Sequence, residues 1–548
     1  MSWNVHIIQR KTKTYVSLKK NTRVGKKIIS DYIYLGPAID AVKILTELQV
    51  KPLIDEREIS YSGEMILEKI ADSIGLTGVL EKHTGDDRVA RVLRNIIILR
   101  TIFPESKRKL VEVRLKHSVL KDSTELKYLG EVYRFMDKIC NNLDDITYDL
   151  VKNAIKNHPI GLKYLIIDAT RIKIWKDKET GLVRFGYSSR NELKSLPQVN
   201  LVLGVSEQHI PLFAKVYPGN MQDVKMFDDF IHRINTRYKS LTEKIKEKFI
   251  IFDQGNVNKD NIKYLRKLQE QGIYFVSMMK TNSARRFIEK VDISSMPLIY
   301  SHEKSENVRT EIYGKIIKGV LYGKQSRVLI CYNPDLMEQK CKTLDRRVNA
   351  VRQAVKSEKK EDEVRWLISK YNLKRILKYT ENKGKSELQT DYNEIKSRKD
   401  RYGFFVLFTG HSGLSAEEVL AIYKSRGVVE EGFRALKSDM AIDPVYHSKD
   451  MRIETHTVMV VLGYLLMSIL RAILAREGIE HSFGGLSETI RSGNAVEGFY
   501  EHERLKNRLH IWRPIKPEPD LEAIFRALGI KVPLFDVKEV VPTNSGAC

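Results

Sequence analysis

A chain of 548 residues is too long for a single hydrophobic core, and 42% hydrophobic with 30% charged residues excludes a wholly disordered or fibrous protein. The 94 Lys and Arg against 70 Asp and Glu leave a formal charge of +24, which points to a polyanionic partner, nucleic acid ahead of an anionic membrane surface. Four scattered cysteines without a CxxC pair exclude a zinc ribbon or a disulfide framework.

Residues 1–37 alternate β-like runs with Lys and Arg pairs and close at Gly36-Pro37, which predicts a small basic β-hairpin region. Residues 38–158 turn helical, with Val89, Leu93, Ile96 and Ile97 on one face and dense basic residues over 107–116. A domain that binds DNA ends or dimerises is expected there, although a solvated basic helix face would read the same way.

From 159 to 280 the rhythm is α/β. An apolar run over 164–167 ends at Asp168, residues 199–205 alternate as a second strand, and 210–217 make a third. A helix capped by Asp223 carries Phe227, Phe230, Ile231 and Ile234 at helical spacing. A fourth strand over 249–252 ends at Asp253, a helix runs from Asn258 to a stop at Gly272, and 274–278 is a fifth strand. The order is β-β-β-α-β-α-β.

That rhythm is lost over 281–400, which reads as an inserted domain with a helix marked by Cys341, Leu344, Val348, Val351 and Val355. The core resumes over 401–475 with a strand at 404–409 and a long helix after Ser415. The longest apolar run, 458–470, is interrupted by Gly463 and Ser468 and falls short of the roughly 20 residues of a membrane span. A C-terminal region, 476–548, mixes loops with a helix at 521–528 and ends in a Pro, Ser and Gly tail that is expected to fray. With no secretory signal at the start, a cytoplasmic protein that does not touch a membrane is expected.

The helix after Ser415 carries the most information. Ser415, followed three residues later by Glu418, is a capping box. On an ideal helix Tyr423, Arg426, Glu430 and Lys437 share one narrow stripe beside an apolar stripe of Ile422, Val429, Phe433 and Leu436. Exposed i,i+4 charges often form weak surface pairs. An acid between two cations and a phenol is also what metal-dependent phosphoryl transfer on DNA requires.

The spacing Tyr423-x2-Arg426-x3-Glu430-x6-Lys437 resembles the YREK signature of DDE transposases in the insertion-sequence-four superfamily of bacteria and archaea. The runs around Asp168, the segment Gln198-Val199-Asn200-Leu201 and Phe252-Asp253-Gln254-Gly255-Asn256 are similar to that family as well, as are Tyr446-His447 and residues 452–456. The resemblance implies a ribonuclease-H-like catalytic core, a mixed five-stranded sheet with flanking helices in which the first and fourth strands lie parallel and adjacent. It also implies an inserted domain and a mainly helical N-terminal domain. Asp168, Asp253 and Glu430 would hold two Mg²⁺ or Mn²⁺ ions, and Tyr423, Arg426 and Lys437 would grip DNA phosphates. The implied partners are double-stranded DNA, as terminal inverted repeats and target, and a second copy of the chain. The implied activity is cut-and-paste transposition in the cytoplasm, next to the nucleoid. A catalytically silent DNA-binding regulator and a ribonuclease-H-like nuclease that does not join strands are the alternatives.

One position departs from the family pattern. Relatives often have Arg after the second aspartate, where this chain has Gln254. Trp366 is a candidate for stacking on an extruded base, though packing is the plainer role. His447 and His456 are expected to hydrogen-bond in the core rather than bind metal.

Overall fold

The computed structural model describes residues 4–10, 13–24, 27–37, 51–186, 196–305, 308–357, 359–382, 385–501, 508–533 and 536–540. They form two compact units, one of residues 161–171 and 200–431, the other of residues 1–160, 172–199 and 432–548.

The first unit is built on a nine-stranded sheet. Its strands are β1 (Tyr164–Lys173), β2 (Gln198–Val205), β3 (Pro211–Pro218), β4 (Lys248–Phe252), β5 (Ile273–Met278), β6 (Leu298–Ser305), β7 (Val308–Leu321), β8 (Lys324–Tyr332) and β9 (Phe404–Thr409). They lie in the order β6-β7-β8-β9-β5-β4-β1-β2-β3. Every residue of β2 and β4 is buried, which explains the continuous apolar run of β4; β2, which alternates in sequence, is nevertheless covered on both faces, Gln198 and Asn200 included. β1 pairs in parallel with β4, matching Ile167 to Phe252, and β4 pairs in parallel with β5.

The five strands expected from the sequence are contiguous in this order, but the sheet does not stop with them. β9 adds to β5 antiparallel, β8 to β9, β7 to β8 and β6 to β7. Three of these added strands come from the stretch read as an insertion. Its remainder folds around its own core, with Leu344, Val348 and Val351 of the helix Pro334–Lys356 against Val364 and Ile368 of the helix Glu361–Lys370.

Two local expectations change. The helix Asp223–Leu241 is preceded by Gln222 and has no side-chain cap, so Asp223 is its first helical residue, where its charge faces the positive end of the helix. The long helix after Ser415 is three pieces: Ala416–Lys424 with its capping box intact, Gly427–Arg434, and a π-helical turn Ala435–Asp439. The Ser425 hydroxyl donates back to the Ile422 carbonyl, and Gly427 follows at once; both weaken helix continuation.

In the second unit, Asn4–Arg10, Lys13–Val24 and Lys27–Pro37 form a three-stranded antiparallel sheet, one strand more than a hairpin. Helices Ser62–Ser73, Asp87–Ile102 and Leu129–Ile139 pack on Asp450–Arg476. That helix is longer than the apolar run within it. At 27 residues, with a mean hydropathy of 2.3 over its most apolar window, it is long and apolar enough to cross a membrane, yet 78% of that window is buried inside the protein.

The C-terminal region also holds more strand than its sequence suggests. Asn494–Glu501, Arg508–Pro514 and Asp536–Val540 form a four-stranded sheet with Lys51–Ser60. Its knot is Glu497, which accepts from Arg57, Lys121 and His510 at 2.7–3.0 Å and is held down to about 2 against its own burial by those donors. Cys140, Cys331 and Cys341 are free thiols; Cys548 and the tail expected to fray lie outside the described residues.

Candidate active site

The site begins with two strand ends. Because β1 and β4 are parallel neighbours in register, Asp168 and Asp253, each one residue past the Ile167–Phe252 pair, emerge side by side at the carboxyl edge of the sheet. Open α/β sheets leave such edges to ligands. The Ala169 amide donates to Asp168 Oδ1 at 2.9 Å and fixes that carboxylate, while Asp253 leads into the 3-10 turn Gln254–Asn256.

The helix pieces after Ser415 supply the rest. Arg426 stands in the break between Ala416–Lys424 and Gly427–Arg434. Its Nη2 lies 3.3 Å from Asp168 Oδ2 and 3.2 Å from Glu430 Oε1, and its Nη1 lies 3.3 Å from Asp253 Oδ1. One guanidinium therefore touches all three acids. Since Asp168 and Glu430 share a single nitrogen, their oxygens are no farther apart than those two contacts laid end to end. Tyr423 Oη donates to Asp253 Oδ1 at 3.5 Å.

The electrostatics follow from this crowding. Burial pushes the Asp168 carboxyl up against the pull of Arg426, and the neighbouring Asp253 adds to the rise. Burial works against the Arg426 charge, but Asp168, Asp253 and Glu430 outweigh it and hold the guanidinium firmly protonated. Tyr423 is pushed up to about 12 by burial, so at neutral pH it is a phenol that donates. The Arg426 Nε is buried without a partner. Exposure rises from Asp168 at 19% through Asp253 at 29% to Glu430 at 59% of the side chain, so the cluster opens on the helix side.

The structure thus brings together Asp168, Asp253, Glu430, Tyr423 and Arg426. Three members of the straight-helix stripe, Tyr423, Arg426 and Glu430, meet at the strand-end acids although the helix breaks at Ser425 and passes into the π turn. Lys437 sits on that turn with its side chain exposed, and belongs to the other compact unit. Trp366 is exposed, with Lys370 Nζ 4.3 Å over its ring. His447, half-buried, and His456, buried, both bond to the buried Lys107, at 3.2 and 2.6 Å, in the second unit. Among the described residues no three acid, His or Cys side chains are drawn together closely enough to hold a metal, the guanidinium standing between the three acids. Sequence reasoning missed a second feature of the nine-stranded unit, a wide basic cavity lined by Gln254 and residues from four other segments, which no single stretch could announce.

Residues 161–466 match the family model of the transposase DDE domain. Among solved structures, a piggyBac transposase synaptic complex with hairpin DNA is similar at 9% identity and a TM-score of 0.37, over 80% of this chain and 82% of that one. No curated protein matches. With more than half of its length and all three acids inside the family match, the chain belongs to the DDE transposases.

Proposed function

We propose that this protein is a cut-and-paste transposase of the insertion-sequence-four superfamily, from a bacterium or archaeon, that cleaves transposon ends and joins them to target DNA. The observation that carries the proposal is the convergence of Asp168, Asp253 and Glu430 on one cation. In this reading β1 to β5 and their helices are a ribonuclease-H-like core, and two copies of the chain pair the two ends in the cytoplasm.

The donor set fits a hard divalent ion. All three candidate ligands are carboxylates, two fixed on strand ends and one on a helix, the chemistry that Mg²⁺ and Mn²⁺ take, once Arg426 withdraws. Two such ions would supply a deprotonated water or 3′-hydroxyl and stabilise the leaving oxygen of an in-line displacement at phosphorus. Asp168 and Asp253 fix the depth of the scissile phosphate at the sheet edge. Glu430 closes the open side. Arg426, leaving the acids, offers its fork to the non-bridging oxygens of the same phosphate. Tyr423, a phenol at neutral pH, donates to a flanking phosphate and forms no covalent intermediate, and Lys437 adds a further phosphate contact.

The test is cleavage of duplex DNA carrying the element's terminal repeats with Mg²⁺ or Mn²⁺. Asp168→Asn, Asp253→Asn and Glu430→Gln should each abolish cleavage and leave DNA binding intact. Retained cleavage in any one variant removes that residue from the site.

A further inference from the structure

Beside the acids lies a cavity of about 1,000 Å³, entirely within the unit of the nine-stranded sheet. Its composition is two-sided. Met278 at the end of β5, Met279 just past it, and Phe404 and Phe405 at the start of β9 give it an apolar floor. Six basic side chains line the rest, against one acid, Glu394.

Three of those six are already committed. Arg285 is held by Glu289, Arg398 by Glu394 and the Asn372 carbonyl, and Arg401 by the Ser397 carbonyl. The other three, Lys340, Lys374 and Arg375, are exposed and make no hydrogen bond or ion pair among the described residues. They come from the helix Pro334–Lys356 and from the turn before Leu377–Asn382, so folding gathers like charges from separate segments onto one rim. Like charges gathered with no counter-charge cost stability unless an anion uses them.

Gln254, the residue after Asp253, lines the same cavity. The cavity therefore reaches the residue next to the second acid, and a strand lying along it would lead toward the acids.

An apolar floor beneath a cationic rim suits a particular form of polyanion. A duplex keeps its bases stacked inside and would offer the floor only sugar and phosphate. An unpaired strand turns its bases onto aromatic and thioether side chains while its phosphates follow the charges. The cavity has room for roughly two or three nucleotides, each about the size of a small-molecule ligand, and none for a duplex.

We propose that this cavity binds an unpaired stretch of DNA strand, with phosphates along Lys340, Lys374 and Arg375 and bases on Met278, Phe404 and Phe405, and leads it past Gln254 to the acids. The proposal rests on the transposase reading for its substrate, and it states which form of that substrate this unit holds.

The test uses the full chain without metal, in EDTA, with a fluorescent oligothymidylate and a blunt duplex followed by anisotropy over a salt series. The variant K340Q/K374Q/R375Q should flatten the slope of log K against log salt for the single strand by about 2, from roughly 0.7 per lost phosphate contact, and leave the duplex slope unchanged. Phe405→Leu should weaken single-strand binding roughly tenfold with no change in slope. Thermal melts of both variants report that they fold; the three rim residues are exposed, so the triple variant should melt as the parent does. An unchanged single-strand slope in the triple variant overturns the proposal, and so does an equal loss of duplex binding. Because no metal is present, cleavage is not read here. A failure of this cavity leaves the acids' role standing, and a failure of the acids in the cleavage assay leaves the cavity standing.

Discussion

Replacing Arg426 by Ala asks whether the guanidinium stands in for a metal. It makes three contacts of 3.2–3.3 Å, at the long end of charge-assisted bonds, to acids that range from mostly buried to mostly exposed. Bonds to charged groups contribute about 1.5–3 kcal/mol when well made; lengthened, and screened at Glu430, the set should total about 1–3 kcal/mol. Arg426→Ala without metal should therefore lower Tm by several degrees, at about 2–4 °C per kcal/mol for a unit of this size. Divalent ions should reverse the order. In the parent an ion must first displace the guanidinium; in the variant it meets three uncompensated carboxylates. The same 1–3 kcal/mol then appears as Mn²⁺ affinity raised about 5- to 150-fold, since about 1.4 kcal/mol is tenfold. Calorimetry or the Mn²⁺ paramagnetic signal measures this without DNA. Cleavage should still be lost, because the phosphate loses its fork. A variant with the parent's metal-free Tm and the parent's Mn²⁺ affinity would refute the reasoning.

Three further outcomes follow from local structure. Gly272 ends the turn before β5 at φ +71, and a Cβ there would run into the Lys246 carbonyl oxygen, so Gly272→Ala should cost about 2 kcal/mol or more; an unshifted urea midpoint would count against it. Ser415→Ala removes one half of the capping box and should cost about 1 kcal/mol, seen first as faster amide exchange over the helix Ala416–Lys424 that carries Tyr423. Lys107 is fully buried, and burial lowers it to about 7 from 10.5, with Arg100 adding to the fall. Below about pH 7 the folded protein bears the full penalty of a buried ammonium, and the penalty fades as pH rises toward the unfolded value. The Tm of Lys107→Met relative to the parent should accordingly be highest below pH 7 and decline toward pH 10; a difference flat across that range would show that Lys107 is not strained by its charge.

How far the site was legible depended on the range of the signal. The apolar runs before Asp168 and Asp253 were short and unbroken, so both strands and both acids stood out. Their parallel adjacency came from resemblance, because nothing in either run encodes its neighbour. The helix after Ser415 was correctly started by its cap and wrongly continued: Ser425 and Gly427 are two weak signals against a strong amphipathic pattern, and Arg426 stands in the break they cause. The strands Leu298–Ser305 and Val308–Leu321 were missed because polar and charged residues interrupt them, and they gain their place by extending a sheet that already exists. The basic cavity had no sequence signature, its charges being spread over more than a hundred residues.

The pairing of Lys51–Ser60 with Asn494–Glu501 sets a schedule for synthesis as well as a fold. Arg57 and Glu497 are 440 residues apart in the chain. At roughly 5–20 residues per second, a ribosome that has delivered the first strand needs on the order of half a minute or more before the second emerges. Through that interval the strand waits with open backbone groups, the kind of edge that invites misplaced pairing. The nine-stranded unit, encoded wholly in between, can fold while the wait lasts. Nascent chains should then pass through a stage with a finished nine-stranded sheet and an unclosed second unit. Any message cut before codon 494 would release that stage as its end product, and chaperones or proteases would meet it first.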